Sequence, residues 1–239
     1  MRALIVVPTF NERENLATLV RMLLEHPDYT VLVVDDGSPD GTGDLADRIA
    51  GESGGRVRCL HRSGVRGLGL AYVAGFTEAV RSGCDVVCQM DADLSHDPLE
   101  LQGLIDMARS HDLVIGSRYV VAVEMPRWPM YRRLLSRFAN AYTRRLAGLT
   151  QRDCTSGFRC WRREALERID LTAIASRGYA FQVEMLVAAA RAGMSIAEVP
   201  TSFRNRARGV SKMSAAVVAE SALMPWRPSL RRAAPSTGD

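Results

Sequence analysis

No stretch of the 239-residue chain is apolar for long enough to span a bilayer. It opens on a short strand pattern rather than on the charged and apolar regions of a signal peptide. Glycine-rich nucleotide signatures are missing too. No glycine loop ends in Gly-Lys-Ser/Thr, which excludes a P-loop NTPase. The run Arg66-Gly-Leu-Gly-Leu-Ala71 lacks the third glycine and does not follow the first strand, which excludes a Rossmann dinucleotide loop. Its glycines instead suit a close approach of helix and backbone. The five cysteines, Cys59, Cys84, Cys88, Cys154 and Cys160, are odd in number and show no metal-ligand spacing. They read as reduced, mostly packing thiols of a cytoplasmic protein. His61, His96 and His111 lack a triad-like partner pattern and read as structural or exposed. Aromatics are scarce at 6%, and no internal repeat is present.

What is present is the composition of an ordinary globular chain, 47% hydrophobic and 24% charged, long enough for one domain with a substantial core. The net charge of +4 is unevenly placed: from Pro126 onward arginine greatly outnumbers acid, whereas the first half is nearly balanced. That asymmetry points to anionic partners, whether nucleic acid, phosphorylated substrates or a membrane surface.

The first half alternates strand and helix patterns. Strands are expected at Ala3–Val7, Val31–Val34, Val57–Leu60, Val86–Met90 and Leu113–Ile115. Leu16, Leu19, Val20, Leu23 and Leu24 repeat at helical spacing, with Asn11 as the expected cap and Glu14 in the capping-box position. The fold class is therefore α/β, a mostly parallel sheet with helices on both faces. Further on, Arg127–Leu149 reads as a long arginine-laced helix, Phe181–Ala192 as another, Ser195–Phe203 as a strand and Ser211–Met224 as a last helical stretch. Prolines, arginines and small residues from Pro225 suggest a disordered tail over 225–239.

The most informative motif is Asp91-Ala92-Asp93 at the end of an apolar strand. In open α/β sheets that edge binds ligands. Neighbouring carboxylates stay ionised together most easily around a cation, and hard divalent cations are commonly shared with substrate phosphates. A solvated turn or helix cap explains such a pair about as well when it stands alone. Two more loops occupy the same topological position. Pro8-Thr-Phe-Asn-Glu12 offers Phe10 for stacking and Glu12 for hydrogen bonds, its plain alternative being a strand, a turn and a capped helix. Asp35-Asp36-Gly37-Ser38-Pro39-Asp40 forms a turn, yet carries more acid than a turn needs, so Asp36 is free to contact ribose or base. Arg204 to Lys212 packs four cations into a short loop suited to a diphosphate, or else a solvated basic turn. Asp153–Arg159 and Gly178–Glu184 mix polar and apolar groups as a substrate pocket does.

In this order the motifs resemble the inverting GT-A glycosyltransferases, and most closely the dolichol-phosphate (polyprenol-phosphate) mannosyltransferases. The resemblance runs from about residue 3 to 213. It rests on Val-Pro-Thr-Phe-Asn-Glu (7–12), Val-Asp-Asp-Gly-Ser-Pro-Asp-Gly-Thr (34–42), Asp-Ala-Asp-Leu-Ser-His (91–96), Gly-Ser-Arg-Tyr (116–119), Arg-Arg-Leu-Leu-Ser-Arg-Phe-Ala-Asn (132–140), Thr-Ser-Gly-Phe-Arg (155–159) and Gly-Val-Ser-Lys (209–212). The resemblance implies a catalytic domain over 1–224. It implies that Pro8, Phe10, Glu12, Val34, Asp36 and Ala92 hold the nucleoside, and that Asp91, Asp93 and Ser95 hold Mg²⁺ or Mn²⁺. It further implies that Arg206 and Lys212 grip the donor phosphates, while Arg118, Arg132 and Ser136 receive the lipid phosphate. The chain departs from the family pattern at Phe10, Ser95 and Asn205, where tyrosine, glutamine and aspartate are frequent.

The reaction so implied moves mannose from GDP-mannose to a polyprenyl phosphate with inversion, at a membrane surface or docked on a separate membrane-anchored partner, and involves no nucleic acid. Its rivals are a UDP-sugar donor, a non-lipid hydroxyl acceptor with Glu184 as the nearest base, and a non-catalytic nucleotide-sugar-binding subunit. A sugar nucleotidyltransferase is disfavoured because its glycine-rich first loop is absent.

Overall fold

The continuous apolar run at Ala3–Thr9 (β1) is explained by a sheet covered on both faces, since successive side chains of a strand point to opposite sides. Leu4 and Val6 of β1, with Leu32 and Val34 of Tyr29–Asp35 (β2), belong to one core layer. That layer packs against Leu68–Arg81 (α3), the short Arg163–Glu167 (α6) and Ala180–Arg191 (α7). Ala3, Ile5, Val7, Val31 and Val33 face the other layer, under Arg13–Leu24 (α1), Thr42–Glu52 (α2) and Leu101–Met107 (α4). The computed structural model describes residues 1–120 and 130–203, the side chains at 130–136, 139 and 146 excepted.

Seven strands form the sheet, β1 and β2 with five more, in the order 57–61, 29–35, 3–9, 86–89, 159–162, 113–117 and 196–200. They are completed by Val57–His61 (β3), Val86–Gln89 (β4), Leu113–Ser117 (β5), Arg159–Arg162 (β6) and Ile196–Pro200 (β7). β3, β2, β1 and β4 are parallel, and β5 pairs in parallel with β7. β6 runs antiparallel between β4 and β5. The expected mostly parallel α/β sheet is therefore observed, as are its six expected strands. β6 was not expected. Its four residues begin and end on arginine, which hides the strand pattern, and Arg159 is nevertheless fully buried.

The long arginine-rich helix is seen over Met130–Ala147 (α5). The expected residues 127–129 of that helix, the basic loop and helix over 204–224, and the tail over 225–239 lie outside the described residues. Cys84, Cys88, Cys154 and Cys160 are buried as expected of packing thiols, whereas Cys59 is only half-buried.

Candidate active site

Because β1, β2 and β4 are parallel, their carboxyl ends share one edge of the sheet. Pro8, Phe10 and Glu12 from the first loop, Asp36 from the second, and Asp91, Ala92 and Asp93 after β4 line a single cleft of about 340 Å³. This lies at the small end of the range typical of ligand sites. The other wall is made by Arg66, Gly67, Leu68 and Ala71 at the start of α3 and by Arg177, Gly178 and Tyr179 before α7. These wall residues carry no motif of their own. The signals for them were the glycine pair at 67 and 69 and the mixed polar and apolar run that begins at Gly178. A β-carbon on Gly69 would stand 2.2 Å from the Ser176 carbonyl oxygen, and one on Gly67 would stand 2.7 Å from that of Arg177. The Gly69 N–H donates to the Arg177 carbonyl at 2.8 Å. The expected close approach of helix and backbone is thus realised between α3 and the 176–177 segment.

The two acids at the end of β2 divide their work. Asp35 organises its own loop, accepting from the N–H and hydroxyl of Ser38 and from Thr9 Oγ1. Asp36 turns to the cleft, where the Arg62 guanidinium and the Gly67 N–H, at 2.7 Å, hold its two oxygens. Arg66 lies over the Phe10 ring at 4.5 Å, so the aromatic face offered to a base already carries a cation. Val34 departs from expectation. Its side chain is fully buried in the layer facing α3 and does not line the cleft, because strand alternation sends residue 34 to the sheet's face rather than its edge.

The helix start after β1 also departs from expectation. Asn11 sits at a φ of 56° and is not the cap; Glu12 occupies that position, without a side-chain capping bond. The amino end of α1 is capped from the neighbouring loop instead. The N–H groups of Asn11, Glu12 and Arg13 donate to Ser38 Oγ, Thr42 Oγ1 and an Asp40 oxygen at 3.0, 3.0 and 3.3 Å. Those donors are therefore engaged within the protein rather than offered to a ligand.

Asp91 and Asp93 border the cleft as expected. Tyr72 donates its hydroxyl to Asp91 Oδ1 at 3.4 Å, and His96 Nε2 stands 3.7 Å from Asp91 Oδ2. His96 is buried, stacked on Phe158 at 4.9 Å, so it supports the carboxylate rather than meeting solvent. Burial, reinforced by Asp91, pushes the Tyr72 phenol well above its ordinary range and keeps it a neutral donor. Asp93 Oδ1 accepts the Ser95 N–H at 3.1 Å across Leu94, which is held at a φ of 60° where a leucine is strained. The Ser95 hydroxyl is buried and has no hydrogen-bond partner among the described residues. Asp91, Asp93 and the Ser95 hydroxyl offer oxygen donors alone, the kind that suits a hard divalent cation.

Arg118 is the third part of the arrangement. Its guanidinium forks onto Asp153 at 2.8 and 2.7 Å, and one terminal nitrogen also donates to Thr155 Oγ1 at 2.8 Å. Burial opposes both charges, and each overcomes it for the other: Asp153 is held below the usual carboxylate range and Arg118 above its usual value. Nη1 of Arg118 makes no hydrogen bond among the described residues. Phe203 packs edge-on to His96 and also meets the Arg118 guanidinium at 5.6 Å, bridging it to the Asp91 side, and Arg118 senses the Asp91 charge. Asn140 of α5 accepts the Cys154 N–H at 2.8 Å, which pins that helix to the loop holding Arg118. Arg132 and Ser136 lie one turn apart on α5, their side chains outside the described residues, as are Arg206 and Lys212 entirely. Glu184, the expected base for a hydroxyl acceptor, is spent structurally: its two oxygens accept the N–H groups of Ala175 and Ser176 at 3.1 and 2.8 Å.

Comparison with known proteins agrees with this geometry. The profile of glycosyl transferase family 2 matches residues 4–170. A polyprenol monophosphomannose synthase of Mycolicibacterium smegmatis is 48% identical over 221 residues, 92% of this chain and 83% of that protein. An undecaprenyl-phosphate mannosyltransferase of Micrococcus luteus is also 48% identical, over 92% of this chain and 90% of its own. Among solved structures, glucosyl-3-phosphoglycerate synthase of Mycobacterium tuberculosis, in complex with Mn²⁺, UDP and phosphoglyceric acid, superposes with a TM-score of 0.65 at 21% identity, covering 94% of this chain and 74% of that one. That likeness shows the GT-A fold. With a family profile spanning most of its length and relatives nearly half identical across nine-tenths of it, the chain belongs to glycosyl transferase family 2 and is a glycosyltransferase.

Proposed function

We propose that this glycosyltransferase moves mannose from GDP-mannose to the phosphate of a polyprenyl phosphate, with inversion and with the help of a divalent cation. Lipid-phosphate mannosyl transfer is favoured by the names of the two relatives at 48% identity. The observation that carries the reading in this chain is Arg118: a largely buried guanidinium, preorganised by Asp153 and Thr155, electrostatically coupled to Asp91 and with Nη1 uncommitted among the described residues. A phosphate monoester needs such a cation.

Asp91, Asp93 and Ser95 would hold Mg²⁺ or Mn²⁺, which when bound would neutralise the diphosphate leaving group. Phe10, Glu12, Asp36 and the Ala92 backbone would seat the nucleoside, with Pro8 shaping the floor of the same cleft. Arg206 and Lys212 would close on the donor phosphates, and Arg132 and Ser136 would join Arg118 on the acceptor phosphate. A phosphate oxygen is already anionic near neutrality, so attack on the anomeric carbon requires positioning and charge screening rather than proton removal. The structural engagement of Glu184 supports this choice over a hydroxyl acceptor. No helix among the described residues is long and apolar enough to cross a membrane. Delivery of a polyprenyl tail therefore favours peripheral membrane docking, through the arginine-rich α5 or a membrane-anchored partner.

The test is a transfer assay with labelled GDP-mannose and polyprenyl phosphate, with and without Mg²⁺ or Mn²⁺. Metal-dependent label in an organic-extractable, acid-labile product is the expected result. Label transferred from a UDP-sugar instead, or only to a hydroxyl acceptor, would overturn the reading.

A further inference from the structure

Away from the cleft, β3 forms the outer edge of the sheet, and Cys59 and His61 alternate along it so that both project to the same face. α2 packs over that face and brings Asp47 to them. One ligand atom from each of Asp47, Cys59 and His61 lies within 4.8 Å of the others. His61 Nε2 already meets both Asp47 oxygens, at 2.9 and 3.0 Å. Nitrogen and oxygen ligands about 2.0–2.1 Å from a tetrahedral zinc stand about 3.3 Å apart, so this pair needs to open by only a few tenths of an ångström. We propose that Asp47, Cys59 and His61 form a second metal site, distinct from the aspartates of the cleft, that takes Zn²⁺ or a cation of similar softness with solvent as fourth ligand.

The chemistry of the donors separates the two sites. The cleft offers oxygen alone, which suits Mg²⁺ or Mn²⁺, whereas a thiolate and an imidazole select zinc-like ions. Without metal, burial and the nearby carboxylates of Asp47 and Asp35 keep the Cys59 thiol protonated, its pKa pushed up to about 12. A bound cation reverses that balance: the S–H proton leaves to solvent as the sulfur–metal bond forms. Cys59 is the one cysteine of the five that is not buried, so it alone is placed to accept an incoming ion. The side chains of Asp47 and His61 are about half exposed, which leaves room for rotamer adjustment and for a solvent ligand. The spacing Cys-x-His is invisible to the usual search for cysteine pairs, and Asp47 arrives from another element. The site also adjoins the donor cleft, because the next residue, Arg62, reaches Asp36 with its guanidinium and donates its N–H to the Asp35 carbonyl at 2.8 Å.

The experiment is a Co²⁺ titration of the reduced full chain, performed in an Asp91→Ala background so that the cleft contributes little. The expected result is a thiolate-to-cobalt charge-transfer band that saturates at one equivalent and is displaced by Zn²⁺. That band should vanish in Cys59→Ala and in Cys59→Ser, and its apparent affinity should fall more than about tenfold in His61→Ala or Asp47→Asn. Absence of the band at excess Co²⁺, its survival in the cysteine variants, or unchanged affinity in both surface variants would overturn the proposal. Because His61 and Asp47 are exposed, their variants keep the test decisive if a Cys59 variant folds poorly.

Discussion

At the scale of single residues, the site works through charges held in place by partners that sequence spacing does not reveal. Asp91 and Asp93 stood out as an abrupt acidic stop to an apolar strand, but Tyr72 beside Asp91 did not, since it sits in an apolar helical run and only the fold brings it near; His96 closes the same 91–96 motif, yet its spacing gave no sign of its place beside Asp91. Arg118 stood out only through the family resemblance, and its dependence on Asp153, separated by 35 residues, left no trace in the chain. If Asp91 holds the cation as proposed, Asp91→Ala should lower turnover by about 10²–10³-fold, the loss typical of removing one stabilising contact to developing charge, here through the cation. Single-turnover kinetics with GDP binding measured in parallel would separate that loss from a loss of donor affinity. Arg62→Ala should act differently, because Arg62 only positions Asp36: donor KM should rise about tenfold while kcat changes little. Equal falls in kcat and kcat/KM would show instead that Arg62 acts in the transition state.

At the scale of elements, the first two loops behave as one hydrogen-bonded unit, because the β2–α2 loop caps the start of α1. Thr42→Val removes the oxygen that accepts the Glu12 N–H and should cost about 1 kcal/mol in chemical denaturation. The α3 approach to the 176–177 backbone is tighter still. Gly69→Ala places a β-carbon against a carbonyl oxygen that cannot yield without moving the cleft wall, so a loss of about 1–3 kcal/mol is expected, together with weaker donor binding. A variant of unchanged stability and affinity would show that the wall is softer than its geometry indicates. Helices and strands with clean periodicity were readable from the chain. The β6 strand was not, because its Arg159 satisfies itself on the carbonyls of Ser156, Gln182 and Cys154 in a place where pattern reading expects an apolar residue. Burial drives its guanidinium down to about 10, low for an arginine but still charged at neutral pH. The Asn11 cap was misread for a related reason, since capping by a neighbouring loop leaves no trace in local spacing.

At the scale of the whole molecule, acid should unfold the protein through its paired carboxylates. Asp153 ionises more readily in the folded than in the unfolded chain, as does Asp112, whose oxygen accepts the Ser195 N–H. Their contributions are complete above the unfolded carboxylate pKa, near 4, and are lost as pH falls through the lower folded values. Thermal midpoints should therefore hold steady from pH 7 to about 4 and drop below it. In Asp153→Asn that drop should be shallower, on a protein already weakened by about 3–5 kcal/mol through the stranded Arg118. The sheet order carries a further consequence, for synthesis. β4 and β5 follow one another along the chain but do not touch; β6, which joins them, emerges from the ribosome only with residues 159–162. A nascent chain that has reached Ser117 thus holds a four-stranded parallel sheet whose β4 edge is bare, and a separate apolar β5 with no neighbour at all. Until β6 arrives, those two edges are open to other chains, which makes this interval the one in which the protein depends most on being shielded from its own copies.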